Sequence, residues 1–287
     1  MNPAQNRRGA LFMVLAMACF ALEDACLKAA TQSVPPAIAI MGFGLLGVAA
    51  FSLIALLRGE RPVPRLTRGL MLRSGIELCG RLFYSLALAF TGLGLTSAIL
   101  QATPLVVVAG AVVVFGERVG WRRWLAIAVG LVGVMMVLRP TGEGMDMAAI
   151  FAVLGMLGFA GRDLATRAAP LSVTNAQLGV LGMSVLFVAG LVVQLASGTP
   201  LVLPAPLPAA LIAATALFGV AAYASLTVAM RTGEVSVVTP FRYTRLIFAL
   251  ILAAVMFNEV PDGWMIAGCV LIVGSGLFTL ARGRRMV

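Results

Sequence analysis

Residues 10–30 read ALFMVLAMACFALEDACLKAA, and residues 159–169 read FAGRDLATRAA. A helix rises about 1.5 Å per residue, so the first stretch is about as long as the hydrocarbon core of a bilayer is thick. Its charges, Glu23, Asp24 and Lys28, do not spread along one outward face as on a soluble amphipathic helix; they gather past the midpoint of an otherwise apolar run. Such a helix is read as membrane-spanning, with its charges turned toward protein rather than lipid. Arg7 and Arg8 precede it, as in a secretory signal, but the charges at its far end and the lack of a clear small-residue cleavage site point to a retained helix.

Similar runs recur along all 287 residues. After Ala10 to Ala30 come Ala37 to Leu57, Leu70 to Phe90, Leu95 to Phe115 and Trp121 to Leu138. Met147 to Thr166, Asn175 to Ala196, Leu207 to Met230, Val235 to Phe257 and Gly263 to Ala281 follow, ten in all. Hydrophobic residues make up 61% of the chain and charged ones 11%, against roughly 25% charged in an ordinary soluble domain. A soluble enzyme is excluded, and short connections leave no room for an extramembrane domain.

The formal charge is +10, with 20 of the 21 basic residues Arg. They stand singly or in short groups between apolar runs, without the aromatic interleaving of a nucleic-acid groove; the bilayer is the partner, and no nucleic acid is expected. With the amino terminus inside, the inner segments hold 14 of these residues and the outer loops only Arg139. Cytoplasmic loops retain Arg and Lys, so both termini are expected in the cytoplasm. The chain has no His, which removes His metal sites and His proton relays. Cys19, Cys26, Cys79 and Cys269 lie in apolar runs without CxxC spacing and read as small core residues, leaving no metal and no cofactor expected.

The two quoted stretches align at a constant offset. Phe20, Asp24 and Lys28 match Phe159, Asp163 and Arg167, each 139 residues on. Ser33-Val34 and Ser172-Val173 keep that offset, and Gly116-Glu117 with Trp121 is echoed by Asn258-Glu259 with Trp264. The reading is a duplication, residues 10–138 and 147–281. Each half has five helices, an odd number, so the second must enter the membrane from the opposite face. The fold class is therefore an all-α integral membrane protein with ten transmembrane helices in two inverted-topology five-helix repeats.

The strings GERVGW at 116–121, WLAIAVGLVGVMMVLRP at 124–140, and the later TPFRYTRL, NEVPDGW and IVGSGL resemble EamA-type members of the drug/metabolite transporter superfamily. The resemblance spans nearly the whole chain. It implies a central cavity between the halves and alternating access by rocking helices. Members carry amino acids, polyamine-like compounds, riboflavin, S-adenosylmethionine and other metabolites.

Charges within the spans are the candidate site, because each costs several kcal/mol in hydrocarbon unless paired or wetted. In the first helix Asp24 and Lys28 share a face and either bind solute or pair internally; Glu23 points about 100° from Asp24, so the two are not expected to serve one ligand face. In the third, Arg73, Glu77 and Arg81 step by four and Tyr84 extends the stripe. Arg73 is expected to reach the headgroups; Arg81 lies near mid-bilayer, suited to an anionic group or to a pair with Glu77. Arg162 and Asp163 mark the sixth helix, and Tyr223, with Ser225 and Thr227, the eighth. In the ninth, Arg242 and Arg245 share a face while Tyr243 points elsewhere; the two guanidinium forks suit a carboxylate or phosphate, or they pair with Asp163 and Asp24 across the halves. Pro240 and Pro104, the latter beside Gln101 and Thr103, are expected to bend their helices.

The deep charges are Glu23, Asp24, Glu77 and Asp163 against Lys28, Arg81, Arg162, Arg242 and Arg245, four acidic and five basic. A zwitterionic or anionic metabolite, such as an amino acid, fits this balance better than a polycation. The expected function is a secondary active or facilitative transporter of the inner membrane, acting as monomer or homodimer. A lipid-modifying membrane enzyme and a non-transporting assembly subunit are the competing readings.

Overall fold

The computed structural model describes residues 3–115, 121–138, 147–167, 173–232 and 239–283. The described residues form α1 (Pro3–Thr31), α2 (Pro36–Leu57), α3 (Arg68–Phe90), α4 (Leu93–Leu100), α5 (Thr103–Phe115), α6 (Trp121–Leu138), α7 (Met147–Arg167), α8 (Asn175–Ser197), α9 (Pro206–Thr232), a short 3-10 turn (Thr239–Tyr243), α10 (Thr244–Phe257) and α11 (Gly263–Gly283). These are ten spans, with α4 and α5 forming one broken span. The chain is a multi-pass membrane protein.

Its outer surface is apolar, unlike that of a soluble bundle, and its interior holds charges among apolar packing. Leu45, Val113, Leu195, Val255 and Val270 face outward, whereas Asp24, Arg73 and Glu77 are between 0% and 2% exposed. Among the described residues, five stretches are long and apolar enough to cross a membrane by themselves: Arg7–Thr31, Pro36–Leu57, Leu93–Val114, Asn175–Ser197 and Pro206–Leu226. α3 carries the buried Arg73, Glu77 and Arg81 and α7 the half-buried Arg162 and Asp163, which lowers their hydropathy without making them surface helices.

Local chemistry sets the ends. α2 opens on Pro36 after Pro35, whose extended backbone (ψ 137°) is the conformation favoured before a proline. α8 opens on a reciprocal capping box between Thr174 and Gln177 and closes at Gly198, φ 60°. The fourth span is not the single bent helix expected. Pro104 cannot accommodate the carbonyl of residue i−4, here Leu100. The Thr103 hydroxyl donates to that carbonyl at 2.5 Å, and the helix restarts with Leu105 and Val106 donating to Ala102. In the ninth span Pro240 lies in the 3-10 turn, and the regular helix begins at Thr244 instead of running from Val235; residues 233–238 lie outside the described residues.

The spans pair across the two halves of the chain: α1 with α9, α3 with α7, α2 with α8, and α6 with α11. Thus the first span of each half meets the third of the other, the second meets the second, and the fifth meets the fifth. Glycines permit the closest approaches. A Cβ on Gly158 would stand 2.3 Å from the Gly80 Cα, and one on Gly133 would stand 2.8 Å from the Gly268 carbonyl. Gly155 and Gly179 are packed as tightly, against Tyr84 and Phe51, whereas Gly274 faces open space and is not a packing contact. Cys79 is exposed on the outside rather than in the core.

Candidate functional site

Two carboxylates related by the 139-residue offset organise the centre. On α1, Asp24 accepts a hydrogen bond from Arg245 Nη2 of α10 at 2.6 Å, and the same nitrogen donates to the Tyr84 hydroxyl at 3.1 Å. The Arg245 guanidinium lies over the rings of Phe20 and Tyr84, at 5.0 and 5.7 Å. On α7, Asp163 accepts from Arg162 Nε at 3.1 Å and Nη2 at 2.8 Å and pairs with Arg242 at 3.6 Å; Arg162 lies 5.1 Å from the Phe159 ring. Each half thus supplies a Phe and an Asp, and each Asp is neutralised by Arg where water is scarce. The pairing of Arg242 and Arg245 with Asp163 and Asp24 is one of the two alternatives the spacing left open.

A third charge cluster lies beside these. Glu77, fully buried, stands 3.3 Å from Arg73, 3.2 Å from Arg81 and 3.7 Å from Arg162. Gly182 of α8 leaves room for it: a Cβ there would stand 3.1 Å from the Glu77 carboxylate. Arg73 therefore does not reach the headgroups; a carboxylate one turn away, itself needing compensation, holds it inside at 2% exposure.

A cavity of ≈ 90 Å³ opens between the halves. Of the residues singled out from sequence, Glu23, Asp24, Arg81, Tyr84, Pro104, Arg162, Asp163, Arg242 and Arg245 line it. Glu23 and Asp24 both do, against the expectation from their 100° separation, because the stripe of α1 that lines the cavity, Met17, Phe20, Glu23, Asp24 and Leu27, is broad enough to include both. Among the described residues Glu23 has no ion-pair partner. Glu77 does not line the cavity. Nor does Tyr223, whose ring packs edge-on to Phe51 at 5.6 Å, or Tyr243, 5% exposed with a hydroxyl lacking a partner among the described residues. The side chain of Pro240 lies outside the described residues. Lys28 does not pair with Asp24: Arg245 occupies that carboxylate, and Lys28 turns to Glu259 at 3.8 Å.

The wall also holds Gln101 and Thr103, named from the sequence beside Pro104, and the structure adds Ser85, Phe20 and Phe159. Gln101 sits at the break between α4 and α5, with its amide nitrogen buried and unpartnered among the described residues. Broken backbone at membrane depth is tolerated where it faces a cavity, so the Gln101-Ala102-Thr103-Pro104 string was the signal for these positions. Phe20 and Phe159 were visible as repeat mates, but nothing local marked them as partners of arginine.

The EamA-like transporter family matches residues 7–139 and 145–281. A riboflavin transporter of Rhizobium johnstonii is 29% identical, over 99% of this chain and 94% of its own length. An S-adenosylmethionine uptake transporter of Rickettsia bellii is 26% identical, over 78% and 74%. The pseudopaline exporter CntI of Pseudomonas aeruginosa is 27% identical, over 93% and 94%. A solved structure described as "Crystal structure of protein" matches with a TM-score of 0.69 at 20% identity, covering 100% of both chains, a likeness of fold.

Proposed function

We propose that this chain, which belongs to the EamA-like transporter family, moves a small zwitterionic or anionic metabolite across the inner membrane by alternating access. That it is a small-molecule transporter and not an enzyme follows from the family and from relatives named as transporters. The lipid-modifying enzyme and the assembly subunit are set aside on that ground. The relatives carry different solutes, so none of their names transfers.

The observation carrying the substrate class is the lining charge. Glu23, Asp24 and Asp163 face Arg81, Arg162, Arg242 and Arg245, an excess of one basic group. Arg guanidinium forks suit a carboxylate or phosphate, and Glu23, free of an ion pair among the described residues, suits an ammonium group or a coupling proton. The cavity, ≈ 90 Å³, is smaller than the roughly 300 Å³ of the smallest ordinary metabolite sites. Loading therefore requires the halves to part, which fits an occluded stage of alternating access.

The symmetric pairing of spans between the halves supports an inverted-topology repeat, each half contributing one Asp to a shared centre. The excess of Arg in alternate connections supports a cytoplasmic position for both termini.

The test is solute flux in proteoliposomes with the wild type, Arg81→Ala and Arg242→Ala. Candidate solutes come first from a thermal-shift screen of amino acids, nucleosides, carboxylates and the solutes named for the relatives, since a bound solute stabilises the folded state. Flux is expected to fall at least tenfold in both variants. Wild-type flux in both would remove the binding assignment.

A further inference from the structure

On the face where α1, α3 and α10 end, a second cavity of ≈ 420 Å³ is lined by Lys28, Thr91 and Glu259. Lys28 pairs with Glu259, donates to the Thr91 carbonyl, and stands 5.4 Å from the Phe257 ring. Glu259 has a second duty. Its two carboxylate oxygens accept from the backbone N–H groups of Leu93 and Gly94, each at 3.1 Å. These belong to the first turn of α4, whose N-cap Gly92 has no side chain to satisfy them. Asn258, at φ 53°, turns the chain so that the Glu259 N–H returns to the Ala253 carbonyl. One carboxylate from the second half thus ties a helix start and a lysine of the first.

This cluster stands directly beyond an apolar layer. Along α1 the order is Asp24, Leu27, Lys28; along α3 it is Tyr84, Leu88, Thr91; along α10 it is Arg245, Ala249, Ala253. Asp24, Leu27, Tyr84 and Arg245 line the central cavity and Lys28, Thr91 and Ala253 the second one, while Leu27, Leu88, Leu93 and Ala253, each between 0% and 3% exposed, pack as one cluster that reaches both.

We propose that Glu259 is a positioning residue for transport: together with Lys28 it latches the apolar layer shut on this face, and releasing it opens the central cavity into the second one. The proposal rests on the alternating-access reading above. The Lys28 and Glu259 side chains are 12% and 27% exposed. A pair that water can reach separates and re-forms at small cost, as a latch requires, whereas a fully buried pair does not. The second cavity is also large enough to receive a solute.

The test is cysteine accessibility in proteoliposomes. In a background with Cys19, Cys26, Cys79 and Cys269 changed to Ala, Leu27→Cys reports on the layer. A membrane-impermeant maleimide is added to each face in turn, and Val260→Cys, an 84% exposed position, identifies the latch face. The latch is then weakened by Glu259→Gln, by Lys28→Met, or by Gly92→Ala. The last removes no charge: φ −66° suits alanine, but the new Cβ would stand 2.9 Å from the Glu259 carboxylate and push it aside. Labelling of position 27 from the Val260 face is expected to rise about fivefold or more in each variant, with the opposite face unchanged. No rise in any variant overturns the latch, as does an equal rise from both faces, which would mean general loosening. A one-sided rise in protein that carries no tested solute supports the latch and counts against the transport reading, so the two fail separately.

Discussion

Arg245 Nη2 lies 2.6 Å from Asp24 Oδ2, joining residues 221 apart in sequence and the two halves of the protein at its centre. The Asp24 side chain is 2% exposed and that of Arg245 14%, so each ion depends on the other for compensation.

Asp24→Asn therefore leaves a guanidinium in a dry interior and is expected to cost about 3–5 kcal/mol. Arg245→Met should cost as much alone, yet add little to Asp24→Asn, because the double variant removes both ions. Thermal unfolding of the purified protein in detergent, run as a double-mutant cycle, checks this. Additive losses would mean that the pair is not a unit.

Glu77 holds three guanidinium groups and does not line the central cavity. Glu77→Gln should thus act on stability first, by about 3 kcal/mol or more. Whatever folded protein remains should also bind solute more weakly, measured by titration calorimetry, because Arg81 and Arg162 line the central cavity and lose the carboxylate that positions them. A wild-type Kd in the folded variant would mean that Glu77 serves stability alone.

Two glycines on different helices should respond oppositely to alanine. Gly158→Ala forces α7 away from Gly80, whose Cα would stand 2.3 Å from the new methyl, and is expected to lower stability by about 1–3 kcal/mol. Gly274→Ala adds its methyl to open space within α11 and should stabilise the helix by up to about 1 kcal/mol. Melting temperatures of the two variants test the contrast.

Glu23 is the cavity carboxylate without an ion pair among the described residues, while Asp24 and Asp163 are held by Arg. If a proton drives transport, Glu23 is the group expected to carry it. Glu23→Gln should abolish accumulation driven by a pH gradient in proteoliposomes while leaving solute exchange intact. Undiminished gradient-driven uptake would exclude it.

The spans were legible because hydropathy is a local sum: about twenty apolar residues cross a bilayer whatever their neighbours do. The repeated Phe and Asp were legible for a similar reason, a fixed offset needing no third dimension. Pro104 announced a disturbance, but not that the helix would stop at Gln101 and let the Thr103 hydroxyl take up the Leu100 carbonyl. The spacing of Asp24 and Lys28 suggested a pair; the structure gives Asp24 to Arg245 and Lys28 to Glu259.

Composition and pattern alone were enough to settle the solvent, the number of crossings and which helices carry buried charge, since each depends only on residues close together in the chain. The partner of each ion, and whether it faces a cavity, depended on how the halves meet. Coulomb energy falls with distance through space, and those distances are set where glycines such as Gly80 and Gly158 let helices from opposite halves come into contact.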